Sequence, residues 1–289
     1  MAELLTLEKD NTDKVVKYVD EVKRLGLDLF PPDINKSDLV FSAKKIDDKE
    51  VVMFGMGAIK GAGDVAINSI LNASVDGPFK DLGDFISRID GSKVNKRVIE
   101  SLTKAGAFDS FGYSRRALLE QIEKIVETVG KAAVAKKMAT GSLFGDSDEL
   151  TKIDIELEHL PEFEAKEILE LEKASLGFYV SGHPLDEYRE QLDKINYTLS
   201  SQIDELEDGS QALFVGKIEN IAERMSKKGN KFGIATIMDF HGTIELMLFE
   251  DRLKELKDDY AFARIEKAKN LADIKAETLE IGRAHVWTP

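Results

Sequence analysis

The stretch Ile59-Lys60-Gly61-Ala62-Gly63-Asp64-Val65-Ala66-Ile67-Asn68-Ser69-Ile70 decides how this chain is read. Its pattern is apolar-x-Gly-x-Gly, followed by a helix start with Ala66 and Ile70 on one face. Two glycines two residues apart permit a tight turn that turns backbone N–H groups outward. A helix that begins there adds its unsatisfied N-terminal amides, so the turn can hold an anion such as a DNA phosphate. This is the pattern of a helix-hairpin-helix element, with Ala66 and Ile70 packed on a preceding helix. A plain glycine-rich turn fits the same short pattern. A dinucleotide-binding loop does not, because Gly55, Gly57, Gly61 and Gly63 lack its spacing.

Working outward, Lys93 to Ala105 reads as an amphipathic helix with Val94, Val98 and Leu102 in its stripe, and Lys104-Ala105-Gly106-Ala107 reads as a second glycine bend. Lys96, Arg97 and Lys104 would sit near a phosphate backbone; a solvated basic face is the competing reading. Further helices are expected over Asn11 to Leu25 (stripe Val15, Val19, Val22, Leu25), Asp81 to Asp90, Ser114 to Lys137 and Phe163 to Ala174. Pro31 and Pro32 break regular structure, and short strands are expected at Leu39 to Ser42 and Val51 to Gly55.

The net charge of -14 argues against a uniformly basic nucleic-acid coat, but the charge is unevenly spread. Gly145 to Glu172 holds 11 acidic and two basic residues, whereas Gly91 to Leu119 holds six basic and two acidic ones. Phosphate contacts depend on that local field. There are no cysteines, which excludes disulfides and thiolate metal sites. His159, His183 and His241 lack metal-ligand spacing. No apolar run is long enough to cross a bilayer and no secretory signal opens the chain, so a cytoplasmic protein is expected.

From Ala212 the pattern changes to strands: ALFVGKIENIAERM, KFGIATIMDF and GTIELMLFE, separated by charged turns. The turn between the first two carries Arg224, Lys227, Lys228, Lys231 and Phe232, the mixture of cations and an aromatic that single-strand binders use. A solvated hairpin tip is the alternative. Arg252 to Lys257 reads as a helix start. The final IGRAHVWTP follows no preceding pattern and resembles translated adapter sequence. Ser181 and His183, two residues apart beside Pro184, suggest a nucleophile pair, but without an elbow motif they read as a turn. Gly141-Ser142-Leu143-Phe144-Gly145 places two large apolar residues inside the acidic stretch, as a partner-binding peptide would, or as a segment packed on its own helix.

Together, NTDKVVKYVDEVKRLGLDLFPPDIN, FGMGAIKGAGDVAINSIL, NKRVIESLTKAGAFDSFG, ASLGFYVSGHPLD and KKGNKFGIATIMDFHGTIELMLFE, in this order, resemble the bacterial DNA polymerase III alpha subunit, the replicative C-family polymerases. The resemblance runs from about Glu8 to Glu250. It implies an α+β fold: a mostly helical end of the fingers region (1–30), a tandem helix-hairpin-helix domain (31–137), an acidic mobile linker (138–162), a helical connector (163–198) and a truncated antiparallel barrel, the OB-fold (199–280), before a non-native tail (281–289). It further implies that Lys60, Gly61, Gly63, Lys104 and Gly106 lie against duplex DNA, where the residue reading also puts Lys96 and Arg97, and that Arg224, Lys227, Lys228, Lys231 and Phe232 meet single-stranded template. Leu143 and Phe144 would contact the sliding clamp, with Thr140 in place of the family's leading Gln. The implied partners are primer-template DNA, the clamp and other replicase subunits, with no membrane. The parent is a DNA-directed DNA polymerase that uses Mg2+; this stretch lacks the catalytic palm carboxylates and is expected to hold no cofactor and to be inactive alone. A protein-interaction scaffold acting through the acidic linker is the alternative function, and a Ser181/His183 hydrolase the remote one.

Overall fold

The computed structural model describes residues 1–9, 11–46, 48–140, 153, 155–207, 210–227, 229–249, 260–266 and 275–280. Leu143, Phe144, Lys228, the expected helix start at Arg252 to Lys257 and the tail 281–289 lie outside them. The chain divides into two compact units, Met1–Gly182 and His183–Pro289.

The first unit opens with α1 (Ala2–Leu7) and α2 (Thr12–Arg24), whose stripe residues Val15, Val19 and Val22 are buried while Leu25 stays exposed. A small sheet follows, β1 (Asp28–Phe30), β2 (Ser42–Ile46) and β3 (Lys49–Met53), in the order β1-β3-β2 with β1 parallel and β2 antiparallel to β3. The strand expected at Leu39 to Ser42 starts only at Ser42. After a single 3-10 turn (Met56–Ala58) come α3 (Asp64–Ala73), α4 (Leu82–Arg88) and α5 (Lys96–Lys104). A 3-10 turn (Asp109–Phe111) leads to α6 (Arg115–Glu120) and α7 (Ile122–Thr140), and α8 (Ala165–Leu176) closes the helical set.

Local chemistry sets these boundaries. Asp81, Asn95 and Ser114 each cap a helix by accepting the amide three residues on, from Asp84, Val98 and Ala117. The helix expected to run unbroken from Ser114 to Lys137 is interrupted at Gln121, whose side-chain amide bonds the backbone of Glu158 in both directions at 2.8 and 2.9 Å. That contact also corrects the expectation of a mobile linker up to 162. Residues 155–162 run as an extended strap: Ser114 Oγ donates to the Leu160 carbonyl, Lys124 Nζ to the Glu156 carbonyl, and the Glu162 carboxylate accepts the Arg115 and Arg116 amides. The strap's first residue, Ile155, is buried.

The core of this unit gathers Phe54, Met56, Ile67, Ile70, Leu82, Phe85, Ile99, Leu102, Phe108 and Ile125. Phe79, Phe85, Phe108 and Phe111 form a chain of ring contacts with centroids 5.1 to 5.8 Å apart. Each large apolar side chain so buried contributes about 1.5–3 kcal/mol.

The second unit begins with a short helix α9 (Arg189–Leu192) and then forms a sheet of β4 (Gln211–Met225), β5 (Lys231–Met238) and β6 (Thr243–Phe249), an antiparallel meander. Residues Gly233, Ala235 and Ile237 alternate inward with Phe214, Ile244, Leu246 and Leu248 to make its core. Two further strands, β7 (Tyr260–Glu266) and β8 (Lys275–Glu280), join in the order β4-β5-β6-β8-β7, and β7 pairs back onto β4. β6 and β8 meet in parallel at one position, Met247 opposite Lys275.

Candidate nucleic-acid interface

Gly61 and Gly63 stand at φ +89° and +68°, in the left-handed region open to glycine, and both are exposed. Their N–H groups have no hydrogen-bond partner among the described residues. Gly63 is the N-cap of α3, so the outward amides and the positive end of a ten-residue helix coincide. Ala66, Ile67 and Ile70 anchor α3 in the core. The element before the turn is a 3-10 turn rather than the α-helix expected, and it packs with α3 through buried Met56. The base of the turn is fixed from afar, because the Lys60 amide donates to the Ser175 carbonyl of α8 at 2.9 Å.

α5 lies against this turn. A Cβ built on Gly61 would fall 2.7 Å from Ser101 Oγ and 3.4 Å from Arg97 Nε. Lys60 and Arg97 are exposed, Lys104 is half-buried, and none of the three has an ion-pair partner among the described residues. Lys96 differs: its ammonium pairs with Glu123 and, at 3.9 Å, with Glu100. The hydrogen bond to Glu123 raises its pKa. The structure therefore groups Lys60, Gly61, Gly63 and Arg97, with Lys104 two turns along the same helix face, and commits Lys96 to a neighbouring carboxylate.

Gly106 does not offer its amide outward as expected. It is buried at φ +81°, its N–H donates to the Thr103 carbonyl, and the Ala107 N–H donates to Leu102. That pair of bonds is a Schellman C-cap for α5. The Arg115 guanidinium covers it, bonded to Asp109 and to the Glu172 carboxylate of α8. The same Glu172 accepts the Val180 and Ser181 amides at 2.8 and 2.9 Å. The second bend thus contributes side chains from α5 and a rigid joint, while the first contributes amides. Sequence reasoning missed Ser101, Arg115 and Glu172; the i, i+4, i+7 spacing of Arg97, Ser101 and Lys104 was the available signal for the first.

In the second unit, Arg224 is the cross-strand neighbour of Phe232, and Met225 of Lys231. Register parity puts Arg224 and Phe232 on the face away from the core and Lys231 with Met225 on the other. The turn between them is closed by Ser226 and Asn230, with Gly229 at φ +82° and Lys227 exposed. The Ser181 amide serves Glu172, and His183 Nδ1 accepts the Leu185 amide at 3.1 Å, a turn contact. Among the described residues no three carboxylate or imidazole groups converge to hold a metal ion. Among them, too, no helix is long and apolar enough to cross a membrane.

A family described as helix-hairpin-helix motif matches residues 26–118. Among curated proteins, the chain is 42% identical to DNA polymerase III subunit alpha of Campylobacter jejuni over 261 residues, covering 89% of this chain and 22% of that protein. It is 39% identical to the Helicobacter pylori subunit over 269 residues and 34% identical to that of Escherichia coli strain K12 over 256 residues, again covering 22% of each. The chain spans less than a quarter of the length of the curated relatives it matches.

Proposed function

We propose that this chain, as a relative of DNA polymerase III alpha subunits, is a DNA-holding portion of a cytoplasmic bacterial replicase, a DNA-directed DNA polymerase in which nucleotidyl transfer is carried out elsewhere. The first unit grips duplex primer-template DNA, and the barrel unit, as an OB-fold, meets single-stranded template through Arg224 and Phe232. One observation carries the reading: two exposed left-handed glycines, Gly61 and Gly63, hold free amides at the N-terminus of α3 between Lys60 and Arg97. Amides so arranged recognise a phosphate without reading bases, which suits an enzyme that must copy any sequence. The antiparallel β4-β5-β6 meander and the Arg224–Phe232 pair support the single-strand assignment. Contact with the sliding clamp through Leu143 and Phe144, and with other replicase subunits, rests on the sequence resemblance.

The test is fluorescence anisotropy with primed DNA across a salt series. Binding should weaken steeply with salt, and Lys60→Ala and Arg97→Ala should each lower the slope of log K against log salt by about 0.9. Unchanged slopes in both variants would remove the duplex assignment. For the clamp, Leu143→Ala/Phe144→Ala should abolish capture by immobilised clamp while DNA binding persists.

A further inference from the structure

We infer that Ser101 is a phosphate ligand: its hydroxyl, the Gly61 and Gly63 amides and the Arg97 guanidinium form one cradle for a single DNA backbone phosphate. The inference rests on the DNA reading above and deepens it. It joins the first glycine turn and the middle of α5 into one composite site.

Ser101 sits in the middle of α5 with only 9% of its surface exposed. The residue is nine-tenths buried, but its Oγ keeps an edge open to solvent. Thr103, two residues on, bonds the Ile99 carbonyl. Ser101 Oγ has no hydrogen-bond partner among the described residues. It points instead at the glycine turn, 2.7 Å from the place a Cβ on Gly61 would take. Gly61 is therefore glycine for two reasons, its positive φ and the closeness of Ser101. Arg97 stands one turn before Ser101 on the same helix face, its Nε 3.4 Å from the same point. A hydroxyl and a guanidinium nitrogen thus meet beside an exposed turn whose two glycine amides are unpartnered among the described residues, at a helix N-terminus. A tetrahedral oxyanion carries enough acceptor lone pairs to satisfy all of them, and a duplex supplies such groups at regular spacing.

Competing roles make different predictions. If Ser101 is present only because it is small, alanine serves equally well. If it is a ligand, alanine removes a hydrogen bond to a charged group, with no counterion effect because the hydroxyl is neutral. The experiment measures the 289-residue chain and its Ser101→Ala, Arg97→Ala and double variants against a short duplex of mixed sequence in a salt series. Thermal melts run alongside. Ser101→Ala is expected to weaken binding roughly tenfold with an unchanged salt slope and an unchanged melt. Arg97→Ala is expected to weaken it with a lower slope, and the double variant to lose less than the product of the two, because both groups hold the same phosphate. Wild-type affinity in Ser101→Ala beside a weakened Arg97→Ala overturns the inference and leaves the DNA reading standing. So does a loss in Ser101→Ala that follows a lowered melt. No loss in either variant overturns both. A second variant, Ser101→Asp, puts a negative charge in the cradle and should abolish binding; retained binding by a folded Ser101→Asp chain also overturns the inference.

Discussion

Lys9 Nζ lies 2.8 Å from Asp64 Oδ2 and 2.9 Å from Oδ1, across 55 residues of sequence. Asp64 is the first residue of α3, directly after Gly63. A carboxylate there favours the helix through its dipole, yet it stands where a phosphate must approach. Lys9 offsets that charge. Lys9→Ala should therefore weaken duplex binding about three- to tenfold at low salt, a modest effect as expected for a pair this exposed to water. Adding Asp64→Asn should restore most of the loss, although Lys9 itself is still missing. A double variant no tighter than Lys9→Ala would show that Lys9 contacts DNA directly or that Asp64 is too distant to matter.

The Arg115–Glu172 pair is the second relationship with consequences. Its side chains are 6% and 1% exposed, and between them they tie the α5 cap, the Asp109 turn and the Gly177–Ser181 loop to α8. Arg115→Met strands the buried Glu172 carboxylate and should cost about 3–5 kcal/mol in urea unfolding; Glu172→Gln leaves Arg115 paired with Asp109 and should cost less. The Arg115→Met/Glu172→Gln double variant should cost clearly less than the sum of the singles. Additive losses would mean that the two groups do not interact in solution.

These two pairs mark the limit of what the sequence discloses. The glycine turn is legible because Gly61-Ala62-Gly63 demands positive φ locally, and the starts of α4, α5 and α6 are legible because Asp81, Asn95 and Ser114 signal caps a few residues from their acceptors. Gly106 is ambiguous for the same local reason. Lys104-Ala105-Gly106-Ala107 suits an outward bend and a helix stop equally, and its cover comes from Arg115 and, through it, Glu172, 57 residues beyond Arg115. The strap at 155–162 has the acidic, aperiodic composition of a linker; it is held through its backbone by Gln121 and Ser114, which leave no side-chain pattern to read. β2, SAKKI, is too charged to announce itself as a strand, and it forms by pairing along β3.

Two glycines with nearly equal geometry separate backbone strain from crowding. Gly106 and Gly112 stand at φ +81° and +79°. A Cβ at Gly112 meets nothing within 4 Å, whereas one at Gly106 would press into the Arg115 guanidinium, 2.8 Å from Cζ. Gly112→Ala should cost about 1 kcal/mol, the left-handed penalty alone. Gly106→Ala should cost at least twice that and disturb the Arg115–Glu172 pair. Equal losses would mean that Arg115 moves aside freely and that the joint is softer than its bonds suggest.

The second unit carries a pH dependence of definite sign. Burial works to raise the pKa of Asp186, but its bonds to Arg189 Nη2 at 2.7 Å and to the His183 amide at 2.6 Å outweigh that and hold it below the ordinary carboxylate range. A depressed folded pKa means that the stabilisation is complete above the unfolded value of about 4 and is lost as pH falls through the lower folded value. Asp186 also keeps Arg189 in place over the Phe240 ring, 4.4 Å from its centroid, beside His183 at 4.5 Å from the same ring. Its side chain is 45% exposed, so solvent limits the effect to below about 1 kcal/mol. Asp186→Asn should be less stable than the parent at neutral pH by that amount. The two should converge in urea unfolding as pH falls from about 4 through the lower folded value, where the parent's folded carboxylate is protonated as well. A constant gap from pH 7 down to the acid limit would show that the loss comes from the substituted amide's packing, and that the charge on Asp186 contributes nothing to holding Arg189.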